Sequence, residues 1–226
     1  MFGPNNIDNL SNWINDRAQY REHIHNDLGI ESSQPSRRSF SEAQTTAIKD
    51  NPDYYMKLLP VKREGQVRAW VSVMYGCDNF CAYCVVPYTR GRERSRPNKD
   101  IYNEVKSLAE NGFKEITLLG QNVNSYGKKS HDNIGFADLL YKLHDVNGIR
   151  RIRFVTSHPR DFSEKLICTI NDLPKICEHL HLPIQSGSDS ILESMKRGYT
   201  YKEYKEKINL LRATIPDVAI TTDIIV

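Results

Sequence analysis

The run Tyr75-Gly76-Cys77-Asp78-Asn79-Phe80-Cys81-Ala82-Tyr83-Cys84 places three cysteines in the spacing C-x-x-x-C-x-x-C. Three thiolates on one short loop can hold three irons of a [4Fe–4S] cube and leave the fourth iron free for a substrate. A structural zinc site instead offers two separated C-x-x-C pairs, or one pair and a later histidine pair, and closes all four positions. This triplet has no such companion. A disulfide framework is disfavoured because five cysteines among 226 residues are an odd count. No apolar leader directs the chain to an oxidising compartment either. Zinc and reactive thiols remain the alternatives to the cluster.

Outward from this loop, the apolar pattern alternates strand, helix, strand with a period of roughly 30 to 40 residues, the mark of a parallel sheet with helical crossovers. Residues 67–75 read as the first strand, with the cysteine loop at its C-terminal end. Ile101, Val105, Leu108 and Ala109 form one helical face, with Gly112 placed to end that helix. Residues 115–119 are the second strand. Phe136, Leu139, Leu140, Leu143 and Val146 make the next stripe, closed by Gly148, and residues 151–156 make the third strand. Ser163 is placed to cap a helix carrying Leu166, Ile167 and Ile170 ahead of a fourth strand at 178–182. Helices over 189–196 and 202–213 lead to a fifth strand from residue 218.

The first part of the chain differs. Ile7, Leu10, Trp13 and Ile14 recur at helical spacing, so a short amphipathic helix is expected over 8–18. Residues 20–53 are polar and read as a linker or surface extension. With 39% apolar and 26% charged residues, the chain can bury the core of one sizeable domain. No apolar run reaches about 18 residues, so no membrane span is expected. Between residues 85 and 100 lie Arg90, Arg92, Arg94, Arg96 and Lys99 against Glu93 and Asp100, an excess equal to the whole chain's +3. Such a basic strip beside a redox site points to a polyanion, or else to a solvated loop.

In parallel β/α barrels the reacting groups sit on loops after the strands. That edge is polar each time here: the cysteine loop, Gly120-Gln121-Asn122, Ser157-His158, Gln185-Ser186-Gly187, and Asp223 in strand five. Five such loops converging on one rim make a cleft. Cys168, amid a helix stripe, and Cys177, opening the fourth strand, read as small core residues. His158, His179 and His181 are explained by packing and hydrogen bonding.

The cysteine triplet with Tyr83 before its third member resembles the signature of radical S-adenosylmethionine (radical SAM) enzymes. The longer run from Tyr75 through Val85-Val86-Pro87-Tyr88-Thr89-Arg90-Gly91-Arg92-Glu93-Arg94-Ser95-Arg96 resembles the bacterial tRNA methylthiotransferases. So do Leu118-Leu119-Gly120-Gln121-Asn122-Val123-Asn124-Ser125-Tyr126-Gly127, Thr156-Ser157-His158-Pro159-Arg160-Asp161, His181-Leu182-Pro183-Ile184-Gln185-Ser186-Gly187-Ser188 and Thr221-Thr222-Asp223-Ile224-Ile225-Val226. The likeness runs from about residue 61 to 226. Within the family it is greatest to members acting on isopentenyladenosine beside the anticodon.

The resemblance implies an α/β fold: a partial parallel (β/α)6-type radical SAM barrel, truncated after about strand five, with an irregular N-terminal extension. It divides the chain into residues 1–57, the tail of an N-terminal methylthiotransferase domain plus linker, and 58–226, a radical SAM core incomplete at its C-terminal end. Met1 then reads as an internal residue. The implied reaction adds a methylthio group to C2 of isopentenyladenosine in tRNA, in the cytoplasm. S-adenosylmethionine on the unique iron is cleaved to a 5′-deoxyadenosyl radical by one electron from a donor such as flavodoxin or ferredoxin. Cys77, Cys81 and Cys84 are the implied ligands. Tyr83, Gln121, Asn122, Ser157, Gln185, Arg197 and Asp223 are candidates for S-adenosylmethionine, with Arg197 facing its carboxylate. Arg90, Arg92, Arg94 and Arg96 are candidates for tRNA. Family members carry three further cysteines for an auxiliary [4Fe–4S] cluster and a C-terminal RNA-binding domain, which this sequence lacks, so the fragment alone is expected to bind a cluster without completing sulfur insertion. The alternatives are a sister methylthiotransferase acting on threonylcarbamoyl-adenosine in tRNA or on a ribosomal-protein aspartate, and a noncatalytic RNA- or zinc-binding module.

Overall fold

The computed structural model describes residues 67–130 and 134–226. The helix expected over 8–18, the polar stretch over 20–53 and the domain boundary at residue 57 lie outside the described residues.

In chain order the elements are β1 (Arg68–Ser72), β2 (Met74–Tyr75), α1 (Val86–Thr89), β3 (Arg94–Ser95), α2 (Asn98–Glu110), β4 (Glu115–Leu119) and α3 (Phe136–His144). They continue with β5 (Arg151–Phe154), α4 (Glu164–Asp172), β6 (His179–His181), α5 (Asp189–Ser194), α6 (Tyr201–Thr214) and β7 (Ala219–Thr221). Strands β1, β4 and β5 pair in parallel in that order, with Val71 opposite Leu118 and Leu118 opposite Phe154. Strands β6 and β7 form a second parallel pair. The two ladders are joined where Ile152 N–H donates to the Lys175 carbonyl at 2.7 Å and Cys177 N–H donates to the Ile152 carbonyl at 2.9 Å. This is the partial parallel α/β architecture that the alternating pattern predicts.

Each crossover helix forms for local reasons. Helix α2 buries Ile101, Val105, Leu108 and Ala109 on one face. It ends where Gly112 takes φ +92° and Phe113 N–H reaches back to the Leu108 carbonyl at 3.1 Å, a Schellman closure. The Ser163 hydroxyl caps α4 by accepting from Leu166 N–H. Thr200 and Glu203 form a reciprocal capping box on α6. Between the strands and these helices, Val71, Ile116, Leu118, Leu139, Leu143, Ile152 and Ile167 are almost wholly buried, and such burial is the main stabilising contribution.

Two features differ from the sequence reading. The expected single strand over 67–75 breaks at Val73. Its N–H still donates to Leu119, but its carbonyl accepts from Arg96 N–H, at 2.9 Å each. Met74 and Tyr75 then pair antiparallel with Ser95 and Arg94. Gly76 permits this fold-back, because at φ +71° a Cβ would stand 2.2 Å from the Arg92 carbonyl oxygen. The basic strip is therefore strand-paired to the segment that delivers Cys77. Cys168 is exposed, contrary to the core reading. It lies on the outward side of α4, and its neighbour Thr169 takes the buried position with its hydroxyl bonded to the Lys165 carbonyl at 2.7 Å. Cys177 is half-buried, its sulfur accepting from Arg151 Nε at 3.5 Å.

Candidate functional site

The cysteine loop leaves β2 and runs to α1. Cys77 and Cys81 are buried and Cys84 is partly so. Cys84 N–H donates to the Cys81 carbonyl at 2.9 Å, and Cys77 N–H to Gly91 at 3.3 Å, so the loop is held by its own backbone. Burial, with Cys81, Glu93 and Cys84 nearby, pushes the Cys77 thiol up to about 11. A thiol of this kind is protonated at neutral pH and must lose its proton to a metal that binds it. Among the described residues no three His, Cys, Asp or Glu side chains converge on one ion. A cube takes one thiolate per iron, and the three thiols of this one loop fit that demand.

Asp78 fixes the loop's outer side. Its carboxylate accepts from Glu93 N–H at 3.1 Å and pairs with Arg92 at 2.7 Å and with Lys129. Burial pushes this carboxyl up, but these donors outweigh it and hold it below its usual range. Arg92 also lies 5.2 Å over the Phe80 ring. Glu93 accepts from the Ser125 hydroxyl at 2.6 Å, and burial raises its carboxyl.

Beside this loop stand the ends of β4 and β5. Val123 N–H donates to the Thr156 carbonyl at 3.0 Å, and Asn124 exchanges two bonds with the backbone of His158, at 2.9 and 3.0 Å. Within that laced pair of loops, Gln121 Oε1, Asn122 Oδ1, Ser157 Oγ and His158 Nε2 are buried with no partner. Unpaired buried polar atoms are costly and rare, and each needs an explanation. Asn122 donates its amide N–H to Asp161 at 2.6 Å, so its unpaired atom is the carbonyl. His158 Nδ1 accepts from Arg160 N–H at 3.2 Å, so a neutral ring presents Nε2–H. Burial first, and then Arg197, lower this imidazole to about 3, and it is neutral at physiological pH. The four atoms offer two carbonyl acceptors, one hydroxyl and one donor, a set suited to a ligand with both ammonium or hydroxyl and carboxylate groups.

Strain concentrates at the same edge. Phe80, Thr156, Gln185 and Lys196 all have positive φ, from 48° to 72°, a conformation that costs about 1–3 kcal/mol each in non-glycine residues. Gln185 is buried and bonded through its backbone to Asp223 and Ile225, each at 2.9 Å. Asp223 lies just beyond β7, largely exposed, and meets His181 Nε2 at 3.3 Å. Tyr83 is half-exposed, its hydroxyl accepting from Arg197 at 3.3 Å.

The structure thus gathers Gln121, Asn122 and Ser157 into one set of loops and holds Tyr83 and Arg197 to the cysteine loop. It separates the four arginines. Arg90 and Arg92 are exposed and Arg94 partly so, but Arg96 is 6% exposed, its guanidinium bonded to the Ser72 carbonyl at 2.5 Å and to Glu104 at 2.9 Å. That removes Arg96 from any phosphate-binding surface and makes it a structural ion pair. The structure also sets His158 and Asp161 beside Asn122 and Ser157, and Glu93 beside the cysteine loop, where the sequence reading gave them no ligand contact. For the first two the signal lay in the run 156–161; for Glu93 the sequence offered none.

The sequence pattern of the family described as the Radical SAM superfamily matches residues 71–226. Among curated proteins, the chain is 64% identical over 168 residues to a tRNA-2-methylthio-N(6)-dimethylallyladenosine synthase of Thermoanaerobacter pseudethanolicus, covering 74% of this chain and 36% of that protein. A synthase of the same name from Syntrophus aciditrophicus is 46% identical over all 226 residues and 45% of its own length. The chain thus spans under half the length of these relatives. Among solved structures, the radical S-adenosylmethionine methyltransferase TsrM from Kitasatospora setae superposes with a TM-score of 0.53 at 20% identity, covering 84% of this chain and 33% of that one. The cobalamin-dependent S-adenosylmethionine radical enzyme OxsB gives 0.54 at 12% identity, over 69% and 23%. These two likenesses concern the fold.

Proposed function

The chain belongs to the radical SAM superfamily, and from that membership we propose that it is the radical-generating part of a transferase that adds a methylthio group to C2 of isopentenyladenosine, also called dimethylallyladenosine, in tRNA. The observation that carries this reading is the cysteine triplet, two members buried and one partly so, set beside four unpaired polar atoms on the adjoining strand ends. The relatives' names supply the substrate class.

Cys77, Cys81 and Cys84 hold a [4Fe–4S] cluster. Gln121, Asn122, Ser157 and Gln185 hold S-adenosylmethionine, with Tyr83 and Asp223 at the margin. When bound, this pair supplies one-electron cleavage of a sulfonium and thereby hydrogen abstraction from an unreactive C–H position. The chain's own part is orientation and exclusion of water. Asp161 fixes the Asn122 amide so that its carbonyl faces the ligand. His158, held neutral, donates from Nε2 without adding charge. Burial of Cys77 and Cys81 keeps water from the sulfurs.

The exposed Arg90 and Arg92, with Arg94, bind phosphates of the anticodon loop, since such contacts position RNA whatever its sequence. The electron donor is a protein such as flavodoxin or ferredoxin, and the compartment is the cytoplasm, the reading that follows from a tRNA substrate. Separately, among the described residues no helix is long and apolar enough to cross a membrane. Residues 58–226 are the radical SAM core in this proposal. The test is mass spectrometry of tRNA nucleosides from a strain lacking the gene. Loss of the 2-methylthio group, with isopentenyladenosine accumulating, is expected. An unchanged nucleoside profile overturns the proposal.

A further inference from the structure

We propose that Arg197 tunes the cluster: its buried guanidinium, bonded to the sulfur of Cys81, stabilises the reduced state and raises the midpoint potential of the one-electron couple. The inference rests on the cluster assigned to Cys77, Cys81 and Cys84 above, and it gives Arg197 a different task from facing a ligand carboxylate.

Arg197 is 5% exposed. One terminal nitrogen donates to Cys81 Sγ and to the Tyr83 hydroxyl, both at 3.3 Å. The other donates to the Pro183 carbonyl at 3.3 Å, and Nε donates to the Tyr199 hydroxyl at 3.2 Å. The guanidinium carbon lies 5.4 Å over the Tyr199 ring. Burial pulls this group down, but the hydroxyls and the sulfur outweigh it and hold it above its ordinary value, so it is a permanent cation.

Among the described residues no Asp or Glu is bonded to Arg197. A buried cation surrounded by neutral groups is expensive unless an anion compensates it. Burial raises the Tyr83 and Tyr199 hydroxyls and keeps them neutral, so the partner that becomes an anion at neutral pH is the Cys81 sulfur, a thiolate when it ligates metal. The backbone builds this contact deliberately. Lys196 at φ +56° and Gly198 at φ +69° flank Arg197, and the preceding Met195 carbonyl accepts from Ala82 N–H at 3.0 Å. Two bonds, one to the Cys81 side chain and one from the backbone N–H of the next residue, thus clamp the sulfur loop to the end of α5.

Reduction adds one negative charge to the cluster, delivered by a low-potential one-electron donor protein of the flavodoxin or ferredoxin class. No bond forms or breaks, and no proton moves, because Arg197 is already charged. A fixed cation in a low-dielectric setting favours the more negative state, and hydrogen bonds to ligand sulfurs are a known lever on such potentials.

The test is a redox titration of the cluster-loaded chain, followed by electron paramagnetic resonance with S-adenosylmethionine absent. Arg197→Gln is expected to reduce the equilibrium constant for reduction about tenfold, a shift of about 59 mV to more negative potential for a one-electron couple, while Arg197→Lys retains part of the effect. An unchanged potential in an Arg197→Gln protein that keeps its iron overturns the proposal. So does weakened S-adenosylmethionine binding with the potential intact, which returns Arg197 to the carboxylate. If Arg197→Gln loses its cluster, pulsed resonance on the reduced wild-type chain carrying 15N-arginine decides: a guanidinium nitrogen coupling supports the contact and its absence overturns it. A wild-type chain that stays colourless after oxygen-free loading fails earlier, at the cluster itself.

Discussion

Asn122 donates its side-chain amide to the carboxylate of Asp161 at 2.6 Å, from the loop after β4 to the turn after β5. The Asp161 side chain is 4% exposed and paired with Lys128; burial raises its carboxyl, but Lys128 and Asn122 hold it below the usual range. The bond chooses which end of the amide is free.

Asp161→Ala should therefore weaken S-adenosylmethionine binding without removing the cluster. Loss of one orienting hydrogen bond to a charged group predicts about a tenfold rise in Kd. Equilibrium dialysis on reconstituted protein measures it, with iron content as the control. Unaltered affinity removes Asn122 from the ligand set.

Replacing Cys77, Cys81 or Cys84 by alanine should abolish the brown chromophore, taking iron from about four atoms per chain to near zero. Cys168→Ala, at an exposed position, and Cys177→Ala should leave it unchanged. Iron and sulfide analysis after anaerobic loading separates the two groups.

The arginines should divide by burial. Arg90→Ala and Arg92→Ala are expected each to lower the slope of log binding constant against log salt for tRNA by about 0.7, the single-strand value per phosphate. Arg96→Ala should instead destabilise the fold by about 1.5–3 kcal/mol, since it removes the charged hydrogen bond to the Ser72 carbonyl and the ion pair to Glu104. Filter binding across salt concentrations and urea unfolding check the pair; a folded, normally stable Arg96→Ala protein with a reduced salt slope contradicts the division.

Gly76→Ala should cost about 2–4 kcal/mol, combining positive φ with a Cβ 2.2 Å from a backbone oxygen that cannot swing aside. Urea midpoints report it. A variant as stable as wild type would mean the hairpin is not as tight as described.

His158 predicts a pH dependence. Its folded value, lowered by burial to about 3, lies below the roughly 6.5 of an unfolded histidine. Between those values the unfolded chain binds the extra proton, so stability is complete above about pH 6.5 and falls as pH drops through the window, by up to about 1.4 kcal/mol per unit. His158→Gln should flatten that slope in unfolding experiments from pH 7 to pH 5, and an identical slope would contradict a buried neutral ring.

The parallel strands were legible because residues 115–119 carry a largely buried apolar run and residues 151–154 alternate Arg151 and Arg153 with the buried Ile152 and Phe154, and the helix stripes ended at Gly112 and Gly148. The triplet was legible because its spacing is chemistry. Local pattern does not reveal long-range pairing. Nothing near Arg96 in sequence announces Glu104 or the Ser72 carbonyl, and nothing near Cys81 announces Arg197. The turn at Val73 was hidden because Met74 is as apolar as the residues before it. Cys168 misled because helical phase at one position in a short helix is decided by neighbours, here Thr169 facing inward.

The clamp from α5 to the sulfur loop spans 114 to 116 residues of chain. During synthesis, the thiols emerge long before this second fastening, so a nascent loop has only its own backbone and Asp78 to hold it. Polypeptides stalled short of Met195 should therefore capture iron less firmly than ones extended past Tyr199.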